Sequence, residues 1–172
     1  EAFNSDGLRS LVHSVKAKDM AEKTLRYPGH AQLMKLFRET GFFSQEAIEI
    51  NGNSVRPMDV TSKLLFPLWK MKPEDRDVTV MKITAEGLIE GKMKKYAFEL
   101  YDEFDVSTGI HSMARTTGYT ATLGARLILN DIFSTKGLFY PESVVQQNDV
   151  LPYIIDGLRN RGIFIQEHWD QI

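Results

Sequence analysis

The chain has 172 residues and a mass of 19.6 kDa, which suits one domain able to bury about 70% of its unfolded surface. A composition of 42% hydrophobic and 26% charged residues excludes disorder and low complexity, and 21 basic against 23 acidic residues argue against a general electrostatic grip on nucleic acid. With no cysteine there are no disulfides, cysteine zinc sites or thiol nucleophiles, which suits a reducing, cytoplasmic setting, and no apolar run approaches the roughly 18 residues of a membrane span.

Glu1-Ala2-Phe3-Asn4 has neither the basic start nor the apolar middle of a signal peptide. The chain opens without an initiating Met, as expected of a fragment or a domain of a longer protein. Asn4 or Ser5 is placed to cap a first helix in which Leu8, Leu11, Val12 and Val15 recur at helical spacing. After a polar stretch, residues 23–27 read as a short strand with Leu25 and Tyr27 on one face, ended by Pro28-Gly29. Residues 30–40 predict a helix with Leu33, Leu36 and Phe37 inward and Gly41 as its stop.

Residues 47–50 predict a weak strand before a turn at Asn51-Gly52-Asn53. Pro57 suits the first position of a helix over 58–69, whose end Pro67 should disturb. Residues 77–85 and 92–105 predict two long strands by their alternation, linked over residues 86–91 as a hairpin and followed by a turn at 105–109. Residues 116–131 predict a helix with Leu123, Leu127 and Ile128 apolar. Its small residues Gly118, Ala121, Gly124 and Ala125 should admit a close neighbour. A helix over 152–161, stopped by Gly162, and a strand over 163–166 complete the chain.

Helices and strands do not alternate as βαβ units do. The expected fold is therefore α+β: a mixed, largely antiparallel sheet with helices on one face. Neither a repeat nor a domain boundary shows, so residues 1–172 read as one domain.

Gly87-Leu88-Ile89-Glu90-Gly91-Lys92 is one residue short of a phosphate loop, lacks its Ser/Thr and joins two strands, so it reads as a hairpin. No GxGxxG occurs, so the chain carries no dinucleotide fingerprint. His13, His30, His111 and His168 share no metal-ligand spacing. His30 differs from the others because it opens a helix just after Arg26 and Tyr27. A strand end, a turn and a helix start bring the three toward one point, where free N–H groups favour an anion. Ser112-Met113-Ala114-Arg115-Thr116-Thr117-Gly118 reads as a second such corner, with Arg115 ahead of a helix start that holds Thr116 and Thr117. Each corner has a plain alternative, a solvated Arg beside an ordinary helix cap. Two Arg corners suit a substrate with two carboxylates. Lys92, Lys94 and Lys95 read as a solvated strand edge, Asp102, Glu103 and Asp105 as surface acids, and Trp69 and Trp169 as packing.

Three stretches carry a resemblance: residues 1–11, Lys23-Thr24-Leu25-Arg26-Tyr27-Pro28-Gly29-His30, and residues 112–119. In this order they resemble the C-terminal part of the saccharopine dehydrogenase family, which includes saccharopine reductases, lysine 6-dehydrogenases and carboxynorspermidine dehydrogenases. The resemblance runs over nearly the whole chain. It implies a sheet like that of the second domain of glyceraldehyde-phosphate dehydrogenases, a substrate wall and a homodimer interface. It also implies an oxidoreductase that oxidises or forms a carbon–nitrogen bond of an amino acid by hydride transfer, in lysine metabolism. An N-terminal Rossmann domain, absent from this sequence, would hold NAD or NADP.

By the same resemblance Arg26, Tyr27, His30, Arg115, Thr116 and Thr117 face a lysine- or saccharopine-like amino acid, and the two arginines bind its carboxylates. Asn4 and Asp6 lie near the junction with the absent domain. The catalytic acid/base is unassigned, with His30 and Tyr27 as candidates. The missing cofactor half leaves a second reading open: a stand-alone, non-catalytic module that binds a ligand or dimerises.

Overall fold

The computed structural model describes residues 1–147 and 149–171, which divide into two units, Glu1–Pro73 and Glu74–Ile172.

In the first unit, β1 (Ala2–Asn4) pairs antiparallel with β2 (Lys23–Leu25), Ala2 opposite Leu25. Asn4 is thus a ladder residue, not a helix cap. The expected first helix shrinks to α1 (Leu11–Ser14), with Ser10 at its N-cap. α2 (His30–Glu39) begins where the pattern predicts and ends one residue before Thr40, its C-cap. Of the residues expected inward only Phe37 is partly covered, together with Met34, whereas Leu33 and Leu36 are each 54% exposed. Gly29 and Gly41 flank α2 at φ +94° and +84°, a left-handed region that glycine enters at little cost.

β3 (Ile48–Ile50) and β4 (Asn53–Val55) form a small hairpin where the local pattern predicts only a strand and a turn. Its two-residue turn, Asn51-Gly52, has positive φ at both positions, the geometry that matches the twist of a hairpin. α3 (Pro57–Trp69) runs two residues past Pro67. So late in the helix the proline removes one backbone bond, and the Lys70 N–H still closes the last turn on Phe66 O at 2.9 Å. Thr61, the buried residue of α3, donates its hydroxyl to Phe42 O at 2.8 Å.

The second unit is built on β5 (Val78–Ile89) and β6 (Lys92–Glu103), in register throughout. The connection is shorter than expected. Residues 86–89 belong to the ladder, and Glu90-Gly91 alone turns the chain, with φ of +53° and +75°. α4 (Ser112–Leu129), α5 (Pro141–Val144) and α6 (Val150–Arg159) follow. β7 (Ile165–Gln171) then pairs with β6, giving the order β5-β6-β7. Every ladder in the described residues is antiparallel, and the architecture is α+β.

Leu100 of the sheet meets Leu123 of α4 and Leu158 of α6 with Ile163, and Met81 and Ile165 pack against them. Leu127, Phe133 and Val150 form a second cluster. The expected small-residue face of α4 is not where a neighbour comes close: a Cβ added at Gly118 or Gly124 meets nothing within 4 Å. The close approach is made from α6 instead, where a Cβ at Gly157 falls 2.4 Å from Leu123 Cδ2. Among the described residues no helix is long and apolar enough to cross a membrane.

Candidate functional site

The first corner lies in the first unit and has the expected strand–turn–helix form. β2 ends at Leu25, the chain turns through Tyr27 and Pro28, and α2 starts at His30. Arg26 is exposed, and its Nη1 donates to Leu25 O at 2.7 Å. Tyr27 is 86% exposed. His30 is half-buried and stacks parallel on Phe3, ring centres 6.2 Å apart. The N–H groups at this helix start hold a carboxylate, that of Glu1. Ala31 N–H donates to its Oε1 at 2.6 Å and Gly29 N–H to its Oε2 at 3.4 Å. The Ala31 N–H is the main reason the Glu1 carboxyl sits below its ordinary pKa. The N–H groups expected to be free are therefore occupied by the chain's own anion.

The second corner, in the second unit, is built differently from the expectation. α4 begins at Ser112, so Arg115, Thr116 and Thr117 lie inside the helix rather than before it or at its first turn. The anion at its N-terminus is Asp77. Its Oδ1 accepts the Ser112 N–H at 2.7 Å and its Oδ2 the Met113 N–H at 2.8 Å, and His111 Nδ1 lies 3.3 Å from Oδ1. Burial acts to raise the Asp77 pKa, but the Met113 and Ser112 N–H groups outweigh it and hold the carboxyl below its ordinary value.

Arg115 is 6% exposed and held within the unit. Its guanidinium lies 2.6 Å from Asp105 Oδ2 and 3.3 Å from Asp102 Oδ1, and Nη2 donates to Arg161 O at 3.1 Å. Arg115 Nε is buried without a hydrogen-bond partner. Ser112 Oγ, fully buried, is 2.6 Å from Asp102 Oδ2 and 2.8 Å from Thr79 Oγ1. Asp105 is held at a pKa of about 2, chiefly by the Ser107 hydroxyl and with help from Thr108. Thr116 returns its hydroxyl to Ser112 O at 2.9 Å, and Thr117 is exposed.

Asp102 is thus a buried partner, not a surface acid. Its parity in β6, two and four residues from Leu100 and Phe98, places it on the core face and was the signal for this. Asp77 had no local signal, because the helix it caps begins 35 positions later.

The remaining candidates resolve simply. Lys95 pairs with Glu86 at 2.6 Å, and Lys94 sits 5.4 Å from the Trp169 ring centre. Trp69 and Trp169 are 55% and 59% exposed, so neither is a core residue. His168 lies opposite Ala97 in the β6–β7 ladder. Asp6 pairs with Arg9 at the surface. No cluster of three metal-ligating side chains occurs among the described residues. The described residues do not fit a dinucleotide: Gly87 to Lys92 lies in a tight hairpin, and no glycine-rich strand-to-helix turn cradles a pyrophosphate.

An α+β chain with this Arg-Tyr-Pro-Gly-His corner and a buried arginine on α4 is a domain of a known class. Residues 1–163 match the saccharopine dehydrogenase C-terminal domain, and the chain belongs to that family. Among curated proteins it is similar to saccharopine dehydrogenase (NADP(+), L-glutamate-forming) of Schizosaccharomyces pombe, 24% identical over 159 residues. That match covers 92% of this chain and 32% of the relative, so the chain spans about a third of the relative's length.

Proposed function

We propose that this chain is the substrate-binding and dimer-forming domain of an NAD(P)-dependent oxidoreductase that acts on a carbon–nitrogen bond of a saccharopine- or lysine-like amino acid. The observation that carries the reading is the Glu1 carboxylate on the Gly29 and Ala31 N–H groups. A helix start that already binds the Glu1 carboxylate is chemically suited to a substrate carboxylate in its place, and Arg26 and Tyr27 are exposed on the turn that leads into it. In this reading Arg26, Tyr27 and His30 meet the substrate. Arg115 acts as a positioning residue that fixes α4, and Thr116 and Thr117 belong to the same segment. The similarity to the NADP(+) saccharopine dehydrogenase of Schizosaccharomyces pombe favours NADP(+) over NAD(+). The cofactor would be held by a domain outside this sequence. Two copies of the chain form the working unit.

The test uses the longest natural chain that contains this domain. Reduction of NADP(+) on addition of L-saccharopine or L-lysine is expected, with loss of turnover in Arg26→Ala. A full-length protein that turns over neither substrate with NAD(+) or NADP(+) overturns the reading in favour of a non-catalytic module.

A further inference from the structure

β5 is an edge strand twelve residues long. Among the described residues it pairs with β6 alone. The Glu90-Gly91 turn makes Ile89 and Lys92 the closing hydrogen-bonded pair. Odd-numbered residues of β5 therefore turn their N–H and C=O toward β6, and even-numbered ones turn theirs to the open edge. Such a row of unpaired groups is a template for another strand. Natural edges are usually guarded by shortness, proline, bulges or dense charge. β5 has no proline, and its register with β6 has no bulge. It also leaves Val80, Ile83 and Leu88 52%, 49% and 70% exposed. The opposite edge, β7, is shorter and carries Glu167 and Asp170.

The charges on β5 select the occupant. Two copies related by a two-fold axis pair antiparallel, and their free groups meet only if even residues face even residues. An axis through Lys82 sets lysine against lysine, and one through Glu86 sets glutamate against glutamate. An axis through Ile83 or Ala85 opposes no unlike charges. An axis through Thr84 places Lys82 opposite the second copy's Glu86, and the reverse, with Val80 opposite Leu88. Lys82 and Glu86 already pair within their own sheet, with Glu99 and Lys95, at 2.6 Å each. The junction therefore builds a stripe of alternating sign across both copies: Glu99, Lys82, then Glu86 and Lys95 of the second copy.

We propose that two copies of this chain join β5 to β5, antiparallel about Thr84, into one six-stranded sheet. This rests on the homodimer in the proposed function and assigns its interface.

The chain has no cysteine, so single-cysteine variants report cleanly. Across the axis the two Thr84 Cα atoms lie about 5.5 Å apart, within disulfide range. This 172-residue chain is expected to sediment at about twice its 19.6 kDa mass. Thr84→Cys should cross-link into a covalent dimer under mild oxidation, while Leu138→Cys, an exposed control, should not. Thr84→Pro removes a donor that faces the open edge, not β6, and should yield a monomer with an unchanged unfolding transition. If Thr84→Pro loses that transition, the Thr84→Cys cross-link decides alone. A dimer that gives no Thr84→Cys cross-link overturns the interface and leaves the homodimer standing. A wild-type chain that stays monomeric at every concentration overturns both.

Discussion

Asp77 caps α4 from 35 positions away in the chain, its Oδ1 accepting the Ser112 N–H at 2.7 Å. With the Met113 N–H on Oδ2, this carboxylate meets two of the four donors a helix start leaves open. Loss of a helix cap of this kind costs about 1–2 kcal/mol. Asp77→Ala should therefore lower the stability of the full chain by that amount in urea unfolding, with Asp77→Asn recovering part of it. An unchanged midpoint in Asp77→Ala would show that solvent replaces the cap.

Arg115 should tolerate substitution worst. Arg115→Met removes the cation between Asp102 and Asp105 and leaves Asp102, 6% exposed, as a buried uncompensated charge. Breaking a buried pair in this way costs about 3–5 kcal/mol. Arg115→Lys should recover little, since one ammonium cannot span two carboxylates and the Arg161 carbonyl. The double variant Arg115→Met/Asp102→Asn should be markedly more stable than Arg115→Met alone. Additive losses in that cycle would remove the pair from the account.

The acid side of the stability profile carries a signature. Asp77 and Asp105 both titrate lower in the fold than their ordinary 3.8, Asp105 at about 2. A depressed carboxyl contributes fully above its unfolded value, and the contribution disappears as pH falls through the folded value. Stability should therefore drop as pH falls from about 4 toward 2. Asp105→Asn should flatten that drop. Unfolding followed at several pH values checks this, and identical slopes in the two proteins would count against it.

Gly157→Ala tests the packing of α6 on α4. The added methyl meets Leu123, which is 2% exposed and has little room to turn. Overpacking of this size costs about 1–3 kcal/mol. Gly124→Ala, with open space around it, should instead be neutral or stabilising. Thermal unfolding of both variants separates the two sites.

Arg26→Ala should leave the unfolding midpoint unchanged, because its hydrogen bond is to the neighbouring Leu25 carbonyl. Loss of a charge-assisted bond to a substrate carboxylate should weaken amino-dicarboxylate binding by about 1.5–3 kcal/mol, read by calorimetric titration. Unaltered affinity would return Arg26 to an ordinary solvated side chain.

What was legible in the sequence follows from distance along the chain. Alternation over β5 and β6, the start of α2 and the Arg26 corner are local patterns, formed by residues within a few positions of one another. The sequence alone therefore determined the α+β class, the long hairpin and the strand–turn–helix corner. It also held the motifs that place the chain in its family. The tertiary structure decided the rest. β1 exists because residues 23–25 come back to pair with it. α4 starts four residues earlier than its own pattern suggests because Asp77, not a local cap, satisfies its first N–H groups. Arg115 is an interior residue because Asp102 and Asp105 compensate its charge where water does not reach. No local pattern encodes these partners: each is brought into reach by the folded chain, and a buried charge or an open helix end is stable only once they meet.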